Sequence, residues 1–334
     1  MHVIYLNQVP KNLFKHAKRF LPLIGIAIFV YLIYRLGFQD ILDALFSISP
    51  IYIIISSLLI IPQALIRNYE WRLIQKEQKI KIGFWQSFKV LFIGNFYGSF
   101  TPSYLGILMR VPYMKEKTRE PYGKLFINTV IDGVIHTLSL YGMLFIGALI
   151  VVGKVPIILY ITSVWIISLA IFIIYFIKKE RGEKLLRFLI KYFIPRTVKH
   201  YFHNFVDTFY ADFPRIRKLI LPFIIGILTW VIVFSQEYII VLSLGITIPY
   251  IYFLLIFPIA NVAGFLPVTF AGLGVRELTS IFLFSTFFGL AEEKVFVFTL
   301  VGFVITDVLV GFIGFLFSLA ETRKRGKPLE FAFN

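Results

Sequence analysis

Apolar residues run almost unbroken through six stretches of the chain, and the polar residues collect between them. The stretches Phe20 to Leu36, Ile51 to Ile66, Leu125 to Gly153, Val155 to Ile177, Leu219 to Leu244 and Val295 to Leu319 each supply most or all of the roughly 20 helical residues that a hydrocarbon core requires. Continuous runs predict helices whose backbone groups are satisfied internally, and they exclude the short alternating segments of a membrane β-barrel. Two other apolar stretches carry helix breakers at their centres: Asn95-Phe-Tyr-Gly98-Ser-Phe-Thr101-Pro102-Ser-Tyr-Leu-Gly106 and Asn261-Val-Ala-Gly264-Phe-Leu-Pro267-Val-Thr-Phe-Ala-Gly272-Leu-Gly274. Interrupted hydrophobic segments in corresponding halves of a membrane protein point to a substrate site.

The composition agrees with a membrane protein, since 58% of the 334 residues are hydrophobic and 38 are Phe, far above soluble usage. Basic residues before Phe20 resemble the start of a secretory signal. No small-residue cleavage site follows and further apolar runs do, so a retained first helix is expected. The absence of cysteine excludes disulfides, thiolate metal sites and Cys nucleophiles.

A net charge of +16 raises nucleic-acid binding as an option, and the distribution of the charge argues against it. Of the 34 Lys and Arg, 29 fall in residues 1–19, 67–81, 110–124, 178–218 and 321–334. Cytoplasmic loops carry such an excess, which predicts both termini on the cytoplasmic side and contact with anionic lipid. The apolar segments on either side of each break must then begin and end on one side. The expected fold is therefore an all-α integral membrane protein of about six transmembrane helices plus two opposed re-entrant hairpins, near 84–114 and 250–290. Residues 1–153 and 154–334 would form an inverted repeat. Between them, residues 178–218 read as a basic amphipathic segment on the cytoplasmic interface.

A hairpin tip whose second arm begins a helix presents free N–H groups to anions. Phosphate or headgroup binding is accordingly expected at Asn95, Thr101, Pro102, Gly106, Asn261, Pro267, Gly272 and Gly274, with Arg276 and Glu277 directly behind the second tip. Arg276 would take an anionic partner, from the protein or from a lipid phosphate. Arg110 lies eight residues beyond Pro102, roughly 12 Å along a helix at 1.5 Å per residue, which places it near the cytoplasmic interface as a headgroup contact. Asp132, Glu237 and Asp307 lie within apolar runs, where an ionisable group is functional by default, as cation ligand, proton carrier or inter-helix partner. His136 stands one helical turn from Asp132 and is expected to pair with it. Arg67, Glu70 and Arg72 read as an interfacial cluster around Trp71. His200, His203 and Asp207 have metal-like spacing without a further ligand, so no metal or other cofactor is expected, and no phosphate-binding loop for ATP occurs.

The run Arg67-Asn-Tyr-Glu-Trp71-Arg72, the spacing of Pro102, Gly106 and Arg110, and above all Leu266-Pro267-Val-Thr-Phe-Ala-Gly272-Leu-Gly274-Val-Arg276-Glu277 resemble the lysylphosphatidylglycerol synthase transmembrane-region family, also called flippase-like membrane proteins. In the multiple peptide resistance factors this region translocates aminoacylated phosphatidylglycerol, while a separate cytosolic domain makes the lipid. The resemblance implies translocation. Synthesis is not expected with it, because little sequence follows the last span. The chain departs from the family pattern at Ile107, where an acid is usual, at Gly133, where an Arg is usual, and at His136, where an Asp is usual.

A lipid translocase working between the two hairpins is the expected function. The alternatives are a membrane-embedded transferase or hydrolase using Glu277 or Asp307 as a base, and a non-catalytic partner of a lipid-modifying enzyme. The expected partners are a phospholipid or lipid-linked substrate, the anionic membrane surface and such an enzyme; no nucleic acid is expected, and the sequence specifies no oligomeric state.

Overall fold

The computed structural model describes residues 11–99, 101–177, 184, 214–265, 269 and 271–325, and all regular structure among them is helical. The first helix, α1 (Lys11–Leu36), ends at Gly37, where a φ of 87° turns the chain into α2 (Phe38–Phe46) at 87° to it. This second helix is short and amphipathic, with Ile41 and Ala44 buried and Phe38 and Phe46 exposed.

Next come α3 (Pro50–Leu58) and α4 (Ile60–Glu77), which together form one apolar helix of 28 residues. This span extends past Ile66 to Glu77, so Arg67, Glu70 and Arg72 sit on its last third. The first interrupted segment forms α5 (Phe84–Ser99), a 3-10 stretch (Pro102–Met109) and α6 (Arg110–Lys117). Then follow α7 (Tyr122–Val151) and α8 (Pro156–Ile177). After the 3-10 turn Ile216–Leu219 the chain continues as α9 (Ile220–Ser243). The second interrupted segment forms α10 (Tyr250–Gly264) and α11 (Val275–Phe288). The last apolar run is α12 (Glu292–Phe303), a single π-helical stretch (Val304–Leu309) and α13 (Val310–Arg325).

Among the described residues, four helices are long and apolar enough to cross a membrane: 50–77, 122–151, 216–243 and 292–325. The α1–α2 pair makes a fifth if its bent halves are one span. The basic segment 178–218 lies outside the described residues except for Lys184 and 214–218, as do His200, His203, Asp207 and Pro267.

Contacts between helix termini define two ends of the bundle. At one end Lys218 meets Glu77 (3.4 Å), Lys117 meets Glu321 (2.5 Å) and Arg325 meets Glu116 (2.5 Å). This end gathers the described parts of four of the basic segments. At the other, Arg35 pairs with Glu292 (2.8 Å), Ser49 N–H donates to Ser243 Oγ, and Lys154 and Lys294 donate to the carbonyls of Thr286 and Leu244. α6 ends at the basic end, where Glu116 and Lys117 pair, and α11 ends near the opposite one, where Thr286 accepts from Lys154. With 16 and 15 residues, α5 and α10 rise only about 24 and 22 Å, short of a hydrocarbon core of roughly 30 Å.

The two interrupted segments pack reciprocally. α5 lies on α13, and α10 lies on α7. A glycine permits each approach: a Cβ on Gly314 would collide with the Phe92 carbonyl, and one on Gly147 with the Leu255 carbonyl. The breaks themselves meet, with the Tyr104 and Phe265 rings 6.1 Å apart. Around them a core of Phe residues on α9 to α12, including Phe234, Phe253, Phe257, Phe284 and Phe298, interlocks in stacked and edge-on pairs.

Candidate functional site

Two clusters of buried charge flank the meeting point of the breaks, and each contains one arginine from an interrupted segment. In the first, Asp132 of α7 accepts two parallel bonds from Arg67 of α4 (Nη1 to Oδ1, 2.7 Å; Nη2 to Oδ2, 2.6 Å) and one from Arg110 Nη1 (2.7 Å). The fork of a guanidinium matches a carboxylate in this two-point manner. Arg110 Nη2 donates to Asn95 Oδ1 (3.0 Å), and its guanidinium lies 4.8 Å from the Trp71 ring. Glu70 approaches Arg67 (3.5 Å), accepts from Thr229 of α9 (3.3 Å) and pairs with His136 Nδ1 (3.1 Å). Arg67, Glu70, Arg110 and Asp132 are each at most 6% exposed.

Three sequence expectations are corrected by this cluster. Arg110 is not at the interface; it folds back against Gly94, whose missing Cβ leaves room for the arginine stem, because Asp132 offers a buried carboxylate there. Arg67 and Glu70 are core residues for the same reason, while Arg72 remains half-buried, donating to the Ile82 carbonyl. His136 pairs with Glu70, not with Asp132, whose oxygens the two arginines already occupy. Gly133, next to Asp132, has open space where a Cβ would stand.

The second cluster is less complete. Arg276, on the first turn of α11, donates to Glu277 (3.1 Å), approaches Asp307 (3.7 Å) and lies 4.8 Å from the Phe303 ring. Asp307 stands on the π-helical stretch and also accepts from the hydroxyls of Tyr104 and Thr306. The Tyr104 bond joins the first break to the last long helix. The Glu237 carboxyl lies against the backbone of Gly302, where a Cβ would stand 2.6 Å from its carboxyl carbon. Its Oε2 is buried without a hydrogen-bond partner among the described residues, as are the Nε atoms of Arg276 here and of Arg110 in the first cluster. Three carboxyl groups thus accompany one guanidinium here, whereas the first cluster matches two arginines with two carboxylates.

One glycine N–H at each break is engaged by a side chain of that break. Glu277 Oε2 accepts from Gly274 N–H (2.5 Å), so α11 is capped by its own acid. Gly106 N–H donates to Thr101 Oγ1 (2.6 Å), and the arm after Pro102 opens as a 3-10 helix instead of an α-helical N-terminus. Gly272, at a φ of 86°, packs its backbone against Gly264. Asn261 is half-buried beside this turn. The backbone donors of Gly106 and Gly274 are thus satisfied by side chains of the breaks themselves, Thr101 and Glu277.

A groove of about 460 Å³ opens beside Asp307, lined by Phe96 and Ser99 of α5, Ala271 of the second break, Phe303, and Phe312 of α13. Both breaks therefore face one cavity. Asp307 keeps 19% of its side chain exposed, and its neighbours Val308 and Phe312 are 49% and 54% exposed, so the groove opens sideways on an apolar surface. The π-helical stretch was not anticipated; nothing in a hydropathy pattern marks one, although such bulges concentrate at functional sites. Arg110 follows Gly98 and Arg276 follows Gly264 at the same spacing, a signal passed over in placing Arg110 at the interface.

Comparison with known proteins agrees with this architecture. The family described as Lysylphosphatidylglycerol synthase TM region matches residues 22–314. A UPF0104 membrane protein of Methanocaldococcus jannaschii is 24% identical over 311 residues, covering 87% of this chain and 92% of the relative. Another from Methanothermobacter thermautotrophicus is 23% identical over 296 residues, covering 81% and 86%. The chain belongs to the lysylphosphatidylglycerol synthase TM region family and is a multi-pass integral membrane protein.

Proposed function

We propose that this member of the family is a lipid translocase, in which a polar headgroup enters the groove at Asp307 while the acyl chains stay in the bilayer. One observation carries the proposal: the two breaks meet beside a cavity that has the Asp307 carboxylate in its lining and an apolar side opening. A headgroup needs a polar stop within the membrane and its tails need an apolar exit. In this proposal residues 1–153 and 154–334 are inverted repeats and the interrupted segments are re-entrant, which the reciprocal packing of α5 on α13 and α10 on α7 supports. The basic end faces the cytoplasm of a cell membrane, as the distribution of Lys and Arg favours.

The two clusters take different parts. Asp132 with Arg67 and Arg110 fixes the first interrupted segment to α4 and α7. The second segment is held at Asp307 by one 3.7 Å ion pair, from Arg276, while the Tyr104 hydroxyl holds the first break to the same carboxylate; the second segment is the part that rearranges. Asp307 and Glu237 meet a cationic group or protons during the cycle, and Arg276 meets the phosphate once Asp307 releases it.

Purified protein reconstituted into liposomes containing fluorescent phosphatidylglycerol, phosphatidylcholine or an aminoacyl phospholipid should speed the inter-leaflet movement of at least one of them, read by chemical quenching of the outer leaflet. Asp307→Asn should slow that movement about tenfold or more. Rates equal to protein-free liposomes for all three lipids refute the proposal.

A further inference from the structure

The exposed face of α3–α4 ends in a basic pocket that neither the groove nor the charge clusters use. Leu58, Ile61, Leu65 and Tyr69 are 57%, 60%, 37% and 49% exposed and recur at helical spacing, forming a continuous apolar track; the opposite face, with Ala64, Arg67, Asn68 and Trp71, is buried. The same track continues into Arg72, Lys76 and Lys79, which with Lys81, Ile80 and Ile82 line a cavity of about 410 Å³. Lys76, Lys79 and Lys81 are exposed and make no ion pair with any described residue. The nearest acid along the helix, Glu77, is taken by Lys218. The helix C-terminus does not account for these cations, since the N–H groups of Gln78, Lys79 and Ile80 already close the last turn on the carbonyls of Ile74, Lys76 and Gln75. Trp85, 65% exposed, lies close by in sequence at the start of α5, as an aromatic residue at a membrane–water boundary would.

We infer that this pocket binds the phosphate headgroup of an anionic phospholipid of the adjoining leaflet, with an acyl chain lying along the Tyr69–Leu58 track. Unpaired cations call for an anion, and the contiguous apolar track selects a lipid over a soluble phosphate. From Tyr69 to Leu58 the track runs about 16 Å at 1.5 Å per residue, the depth of one leaflet. The site lies on the outer surface of α4, away from Asp307, and its occupancy does not depend on translocation.

Native mass spectrometry of the delipidated full-length protein, offered equal phosphatidylglycerol and phosphatidylcholine in mixed micelles, tests the inference. The wild type should retain phosphatidylglycerol in preference to phosphatidylcholine, and the triple variant Lys76→Gln, Lys79→Gln, Lys81→Gln should lower its apparent affinity about tenfold or more. The matching triple Lys→Arg variant should restore it, which separates loss of charge from loss of fold. Equal retention by the wild type and the Gln variant overturns the inference. So does displacement of the lipid by glycerol 3-phosphate at equal concentration, which would assign the pocket to a soluble anion.

Discussion

Replacing Asp132 by Asn keeps the shape of the side chain and removes the charge that two buried arginines share. Arg67 would retain Glu70 at 3.5 Å, while Arg110 would retain only Asn95 and the Trp71 ring. Removing one partner of a buried ion pair typically costs roughly 3–5 kcal/mol, because the remaining charge stays desolvated. With one carboxylate accepting from two guanidinium groups, each in good geometry, we expect a loss of about 4 kcal/mol. For a chain of 334 residues, at roughly 2 cal/mol/K per residue, that corresponds to a fall of about 6 °C in the unfolding midpoint. Asp307→Asn provides the contrast: its side chain is 19% exposed, and Arg276 keeps Glu277 at 3.1 Å, so the expected cost is about 1 kcal/mol. Both are measured by thermal unfolding of detergent-solubilised protein, following tryptophan fluorescence and the monodisperse fraction. If Asp132→Asn unfolds within a few degrees of the wild type, or if Asp307→Asn is equally destabilised, the division into a closed structural cluster and an open functional one is wrong.

Three further outcomes are expected. Gly314→Val should press a side chain into the Phe92 carbonyl and force α5 from α13, costing about 3 kcal/mol and reducing the folded yield in membranes; Gly133→Ala, with open space at its Cβ, should match the wild type or gain up to about 1 kcal/mol from helix propensity. Glu277→Ala removes both the cap on Gly274 N–H and the 3.1 Å partner of Arg276, so it should cost at least about 2 kcal/mol, and a stability equal to wild type in the same unfolding assay would discount the cap. Tyr104→Phe deletes the bond from the first break to Asp307 while keeping the ring against Phe265; hydrogen exchange should then increase at residues 304–309 and remain unchanged at 128–136 on α7.

The long spans, the two interruptions and the gathering of basic segments at one end were legible without a structure. Each is a local property: a helix satisfies its own backbone wherever about 20 apolar residues follow one another, and Gly and Pro act on the residues beside them. The involvement of Asp132, Asp307, Glu237 and Arg276 was also legible, because ionisable groups are rare in apolar sequence. Their pairing was not. Arg67 and Asp132 are separated by 65 positions, and Tyr104 and Asp307 by 203; helical spacing suggested His136 for Asp132, yet Arg67 and Arg110 reach that carboxylate with charged forks and leave His136 to Glu70. Buried charge goes to whichever complementary group folding places within hydrogen-bond distance, and that distance is set by helix packing. The sequence by itself therefore determined a multi-pass helical membrane protein with two broken segments. Tertiary structure alone decided that one arginine is locked away, that the other stands beside an open groove, that a right-angled helix follows the first apolar run, and that a π-helical stretch interrupts the last.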